Sequence, residues 1–311
     1  MKTILFTSLL RNNENYIPYM FKIFRMIEKD LSQNFEIKYL IYTNNNKDNT
    51  EKLLKNHDFE NLEIIFENLE ESNKDLNALE KKVERLYLIR EKFLKEILKR
   101  DFDYLIMFDS DIYFNSSIIL EMLKVFSKTD YEAITTNTIG QNFPLYYDFF
   151  SLVDENNKNI GLDNKKDVID FHLKCFKNKI INVKSAFGGL FLTKSDSIRS
   201  KNLSYTKNIK IDNSVCEHIP FNKNFKLGFI TNINPIRLKL DTPFKHKKAY
   251  NIIKNNNIDN RNIKRDLFVL FMEIFLALFS LFVIIKKKRY NYIFLLTLSI
   301  CMIVNNFQEF F

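Results

Sequence analysis

Four short apolar runs, each followed by a segment with apolar residues at helical spacing, fill the first 126 residues. The runs are Thr3 to Leu9, Glu36 to Tyr42, Leu62 to Phe66 and Asp103 to Phe108. Between them, Tyr16 to Leu31 places Ile17, Met20, Phe21, Phe24 and Ile27 on one helical face, and Thr50 stands where it caps a short helix to Lys55. Asn77 to Arg100 reads as a long charged helix and Ser116 to Phe126 as another. Strand and helix in alternation predict parallel strands joined by helical crossovers, an α/β sheet. The fourth strand, Tyr-Leu-Ile-Met-Phe, is apolar throughout, as a central strand covered on both faces should be. With 46% hydrophobic residues and 31 Phe in 311 residues, the chain can fill a large core. Its 5 Gly and 5 Pro exclude collagen-like and Gly/Pro-rich low-complexity classes, so each glycine is informative.

The formal charge of +9 raises the question of nucleic acid, and its distribution answers it. Between Arg237 and Arg289 there are 13 Lys/Arg and 4 Asp/Glu, whereas residues 1 to 236 hold 34 and 33. No nucleic-acid partner is expected of so balanced a body. Cys175, Cys216 and Cys301 are an odd set without a CxxC pair, which excludes a disulfide framework and common zinc knuckles and fits a reducing compartment. The stretch Lys2 to Arg11 lacks a long apolar region and a cleavage site and reads as a first strand rather than a signal peptide.

The basic segment reads as a membrane attachment. Leu267 to Ile285 is a 19-residue run broken by Glu273 and Ser280, close to the ~20 residues that span a bilayer. A second run, Tyr292 to Val304, has 13 residues. Basic clusters lie on both sides of the first run, so the positive-inside rule gives no orientation, and a shallow hairpin or interfacial pair is one reading. The expected organisation is a catalytic domain over 1–240, a basic linker over 241–265 and membrane-anchoring segments over 266–307, in contact with membrane lipid.

The chemistry begins where the fourth strand ends. Phe108-Asp109-Ser110-Asp111 sets two carboxylates two residues apart at the carboxyl edge of a buried strand, where open α/β sheets bind ligands. Two such groups suit one hard cation, Mg²⁺ or Mn²⁺, bridging substrate phosphates.

At this point the sequence resembles the GT-A glycosyltransferases, and more narrowly the fungal capsule-associated α-1,3-mannosyltransferases and related small enzymes of bacteria and large viruses. The resemblance is carried by Ile4 to Glu14, the Thr43 to Thr50 turn, Arg85-Leu86-Tyr87-Leu88-Ile89-Arg90 and the Asp-Ser-Asp strand end. It continues through Tyr146-Tyr147-Asp148, Ser185 to Leu190 and Cys216 to Phe221. The fold it implies is a GT-A domain: a Rossmann-like, mostly parallel central sheet flanked by helices. Asp111 would bind the divalent metal and through it the diphosphate of a nucleotide-sugar donor, GDP- or UDP-linked. Asp109 would contact the ribose or the metal, and Thr7, Arg11 and Asn44 would line the nucleotide. Arg85 and Arg90 are candidate phosphate contacts, since a guanidinium fork suits phosphate oxygens.

Three further groups stand beside that resemblance. Gly188-Gly189 permits positive φ or close approach of backbone to ligand, so the turn could present N–H groups or leave space for a donor sugar, and the resemblance implies that it lines the donor-sugar pocket; a β-bulge or hairpin turn is the structural alternative. Glu217 is a candidate general base or a polar group stabilising the sugar cation, and His218 a metal ligand, with His246 its rival. Asp148, after two tyrosines that suit sugar stacking, is an acceptor-side catalytic candidate. The acceptor implied is a glycan or glycolipid, with the catalytic domain on the cytosolic face. Two other classes fit less well. A haloacid-dehalogenase-type phosphatase would carry its D-x-D near the start of the domain, and a non-catalytic scaffold has no need of intact Asp109 and Asp111.

Overall fold

The computed structural model describes residues 1–69, 78–140, 143–161, 165–201, 203–205 and 216–240. The expected linker, both membrane segments and His246 lie outside the described residues. Among the described residues, no helix is long and apolar enough to cross a membrane.

The first four strands are β1 (Lys2–Leu10), β2 (Phe35–Asn44), β3 (Leu62–Glu67) and β4 (Tyr104–Phe108), with helices α1 (Ile17–Leu31), α2 (Thr50–Lys55) and α3 (Ala78–Leu98) between them. Then follow β5 (Ile112–Tyr113), α4 (Ser116–Ser127), β6 (Ala133–Thr136), β7 (Ile139–Gly140), β8 (Phe143–Tyr146), a 3₁₀ turn at Phe149–Ser151 and β9 (Val153–Asp154). The described chain continues through α5 (Lys165–Lys177), β10 (Ile180–Ser185), β11 (Leu190–Lys194), α6 (Ser195–Arg199), α7 (His218–Asn222), β12 (Leu227–Ile230) and β13 (Ile236–Arg237).

Nine strands form one mixed sheet in the order β3-β2-β1-β4-β11-β6-β12-β10-β9, and β5-β13-β7-β8 form a second. Strands β3, β2, β1 and β4 are parallel, as the alternation predicts. The expectation of a mostly parallel sheet fails beyond β4. Strand β11 runs antiparallel to both β4 and β6, and β10 antiparallel to both β12 and β9. Strand β12 returns parallel to β6, so the far half of the sheet is mixed. The short link from β10 to β11 leaves no room for a helical crossover, and these two strands do not pair.

Burial explains the apolar runs. Ile4, Phe6, Ile106 and Phe108 face a layer containing α1 and α4, whereas Leu5, Leu105 and Met107 face α3. Helix α1 presents Ile17, Met20, Phe24, Ile27 and Leu31 to the first layer, with Phe24 stacked on Tyr39 at 3.9 Å. Asn115 caps α4 by accepting the Ile118 N–H at 3.1 Å. Thr50 does not cap α2 from outside as its position suggested. It is the first helical residue, its N–H donates to Asp48 Oδ1, and its hydroxyl accepts the Asn13 N–H at 2.6 Å.

The connection from β10 to β11 fixes the site. Gly188 and Gly189 have φ of +58° and +68°, where a side chain is strained. A Cβ on Gly189 would lie 2.4 Å from Ile112 Cγ1, and one on Gly188 2.9 Å from the Thr136 carbonyl oxygen. Strands β10 and β11 are not sheet neighbours, so the glycines form a tight crossing rather than a hairpin turn. Gly189→Ala should lose about 2–4 kcal/mol of stability through strain and overlap. Denaturant unfolding checks this, and an unchanged midpoint would refute the crossing's geometry.

Candidate active site

The carboxyl ends of β1, β2 and β4 open onto a cavity of about 280 Å³. Its walls come from Leu9 to Arg11, Asn44, one side of α3 and the Asp109-Ser110-Asp111 turn. The loops after β1 and β2 are cross-linked by their own polar side chains. Asn12 N–H donates to Asn46 Oδ1 at 2.8 Å, Lys47 N–H to Asn12 Oδ1 at 2.7 Å and Glu14 N–H to Asp48 Oδ2 at 3.1 Å. Asn12 and Asn45 sit at positive φ, a conformation asparagine tolerates. This lattice carries Arg11 and Asn44 to the cleft, with Arg11 Nε 3.4 Å from the Asn45 carbonyl.

Arg11, Asn44, Arg85, Arg90, Asp109 and Asp111 all line the cleft. Thr7 does not. It is buried in the sheet, and its hydroxyl points to the Ile106 carbonyl at 3.4 Å. Two polar atoms at the cleft are buried without a hydrogen-bond partner: Asn44 Oδ1, an acceptor, and Arg85 Nε, a donor. Buried polar groups are normally paired, and a ligand that presents both a donor and an acceptor would pair these.

Acidic groups crowd the floor. Arg90 donates through Nε to Glu217 Oε1 at 2.8 Å, and its Nη2 lies 4.0 Å from Asp109 Oδ1. Burial alone would raise the Glu217 carboxyl, but the Arg90 guanidinium overcomes burial and holds it at about 2. Such a carboxylate is a poor proton acceptor near neutral pH. Asp109 is pushed up to about 7, first by burial, against the pull of Arg90 and with Asp111, Asp148 and Glu217 adding repulsion. Asp148 is raised to about 6 by burial, which outweighs its bonds from the Ser151 hydroxyl (2.5 Å) and the Gly188 N–H (3.0 Å) to Oδ2.

The double-glycine crossing links these groups. Gly189 O accepts the Asp109 N–H at 3.0 Å, while Gly188 N–H is spent on Asp148. Gly188 therefore serves the site by holding Asp148 through its N–H.

The structure separates His218 from the strand-end carboxylates. Its ring is buried and stacked on Phe187 at 3.8 Å, with Nε2 3.7 Å from Glu217 Oε1 and neither nitrogen hydrogen-bonded. Burial and then Arg90 hold it neutral, well below its ordinary value. Among the described residues, no three His, Cys, Asp or Glu side chains are grouped to hold a metal ion. The expected Asp109, Asp111 and His218 set is thus not assembled. The two aspartates still offer hard oxygen donors of the kind that hold Mg²⁺ or Mn²⁺ jointly with water and substrate phosphate.

Arg237 joins the site without any motif to announce it. It reaches from β13, and its Nε donates to Asp111 Oδ2 at 2.9 Å while its guanidinium lies 4.7 Å from the Tyr147 ring centre. Backbone fixes that approach: β13 pairs with β5 just beyond the motif, and Leu238 N–H donates to the Asp111 carbonyl at 2.7 Å. A lone arginine on a two-residue strand carries no motif by which to find it.

No family model matches the chain, and no curated protein matches it. Solved structures resemble it in outline. Residues 1–349 of S. aureus TarS in complex with UDP-GlcNAc align at 11% identity and TM-score 0.47, covering 78% of this chain. The chain spans 60% of the length of that structure. The mannosyltransferase PcManGT from Pyrobaculum calidifontis, in complex with GDP-Man and Mn²⁺, aligns at 9% identity and TM-score 0.44, over 81% of this chain and 61% of that one. The galactosyltransferase LgtC, with donor and acceptor sugar analogues, aligns at 13% identity and TM-score 0.34, over 64% and 60%.

A prediction follows from the sign of the Asp109 shift. A carboxyl raised in the folded state costs stability as pH climbs from the ordinary range of about 4 through its folded value. Asp109→Asn should therefore melt higher than the wild type at pH 8 and level with it at pH 4. A variant that melts lower at pH 8 would show that Asp109 is a structural ion-pair partner instead.

Proposed function

We propose that the chain is a glycosyltransferase that moves a sugar from a nucleotide-diphosphate donor bound in the strand-end cleft. The observation that carries this reading is the cleft itself. Two carboxylates at the end of a central parallel strand face three arginines and two unpartnered polar atoms in a cavity of ligand size.

Asp111 and Asp109 would hold a divalent cation, Mn²⁺ or Mg²⁺, whose charge offsets that of the departing nucleoside diphosphate. Asn44 and Arg85 would pair with the nucleotide, satisfying Oδ1 and Nε. Arg11 and Arg237 stand at the rim to meet phosphate oxygens, and Arg237 is already drawn to the site by Asp111. Arg90 is committed to Glu217, so it acts as a fixed positive charge beside Asp109.

Of the two catalytic candidates, Asp148 suits proton transfer better than Glu217. Its carboxyl is raised to about 6, near the working range of a general base, whereas Glu217 is held at about 2. Asp148 Oδ2 is occupied by Ser151 and Gly188, so the acceptor hydroxyl proton would pass to Oδ1. The acceptor oxygen then bonds to the anomeric carbon, the bond from that carbon to phosphate breaks, and its electron pair leaves with the diphosphate. Glu217 takes a positioning role through Arg90.

The donor belongs to the hexose class, and the sequence resemblance names mannose within it. The acceptor is a glycan or glycolipid, presented where the apolar C-terminal runs bring the cytosolic catalytic domain to a membrane.

Titration calorimetry of the full-length chain with UDP, GDP and CMP, with and without Mn²⁺, tests the donor site. One nucleoside diphosphate should bind at micromolar strength only with the cation, and Asp111→Ala should abolish that dependence. Binding that ignores both cation and Asp111, or no binding, would remove the reading.

A further inference from the structure

We propose that the outer face of α5, with Phe150 beside it, is a docking surface for anionic lipid. Ile169, Leu173 and Phe176 recur at i, i+4 and i+7 on one side of this helix and are 58%, 49% and 63% exposed, and Phe150 is 70% exposed. The helix is anchored from its other side, where Phe171 and Cys175 enter the core. Phe149 and His172, 5.9 Å apart, bring the 3₁₀ turn that carries Phe150 against α5. Among the described residues, four of the eight large exposed apolar side chains thus lie on two adjoining elements. Exposed apolar patches of this kind mark contact surfaces.

Charge selects the occupant. Lys166, Lys177 and Lys179 are exposed on and just beyond the helix, against exposed Asp170. Lys174 is paired with Glu155 and Asp167 with Lys158, each at 2.6 Å. An apolar stripe bordered by lysines is the pattern of a helix lying in a membrane interface, apolar side chains among the acyl chains and ammonium groups at phosphate level. The same pairing of apolar run and lysines recurs in the sequence at Leu267 to Ile285 with Lys286-Lys287-Lys288. Two such elements in one chain favour a lipid surface over a protein partner.

The docking is independent of the glycosyltransferase reading. One consequence does rest on the glycosyltransferase reading: Phe150 is two residues from Asp148, so a membrane held here would border the acceptor side of the site.

Hydrogen–deuterium exchange of the full-length chain, with and without phosphatidylglycerol vesicles, reads α5 directly even if the C-terminal runs bind lipid too. Peptides over 165–177 and around Phe150 should exchange about tenfold more slowly or less on the vesicles. Leu173→Ser with Phe176→Ser should lose that protection at an unchanged melting temperature; if the pair unfolds, Lys166→Glu with Lys177→Glu serves instead. The inference fails if the chain binds the vesicles while α5 exchanges as in buffer, or if it does not bind them. It also fails if phosphatidylcholine vesicles protect α5 equally, or if α5 is already protected in buffer by the chain's own remainder or a second copy. Nucleotide binding measured on the same samples reports on the donor site separately.

Discussion

Four carboxylates, Asp109, Asp111, Asp148 and Glu217, are packed behind one strand end, and the site depends on how their repulsion is settled. Two guanidinium groups divide the work. Arg90 neutralises Glu217 inside the protein, where losing either partner would leave a buried charge at a cost of about 3–5 kcal/mol. Arg237 takes Asp111 at the more open rim. Asp109, with Arg90 only at 4.0 Å, and Asp148, held by neutral donors, remain undercompensated, and both are raised. On the glycosyltransferase reading we propose, that imbalance is what a cation and an acceptor proton would relieve.

Backbone geometry keeps the imbalance in place. The Gly188-Gly189 crossing fits only without side chains, and through one carbonyl and one N–H it ties Asp109 and Asp148 to the same four-residue connection. Ser151 extends the tie, accepting the Phe187 N–H at 3.0 Å while donating to Asp148. A shift of the crossing would therefore move both carboxylates together. The loops after β1 and β2 are braced in the same manner by asparagine and aspartate side chains, which makes the asparagine-rich turn after Thr43 a structural device rather than a bare linker.

The first half of the fold was legible because its signals are local. Apolar runs such as Tyr104 to Phe108 and helical spacing such as that from Ile17 to Leu31 are dictated by neighbours in the chain, and parallel order follows from helical crossovers. The aspartate pair was legible for the same reason, as a motif at a strand end. What stayed hidden depends on contacts distant in sequence. Nothing within the chain near Leu190 to Lys194 says that it will enter antiparallel beside β4. Arg237 meets Asp111 across 126 positions, and Arg90 meets Glu217 across 127. The surroundings of Thr7 and His218 were hidden for the same reason: the Thr7 hydroxyl meets the Ile106 carbonyl, and the His218 ring stacks on Phe187, contacts made across 99 and 31 positions.

The central claim is that this cleft transfers a sugar with Asp148 accepting the proton. The most direct measurement is release of nucleoside diphosphate from UDP- and GDP-linked hexoses by the full-length chain with Mn²⁺ and a saccharide acceptor panel, compared with Asp148→Asn. The account predicts release from one donor, with turnover in the variant lowered about 10²-fold or more while donor binding persists. Release that is undiminished in Asp148→Asn, or absent with every donor and acceptor, would contradict it.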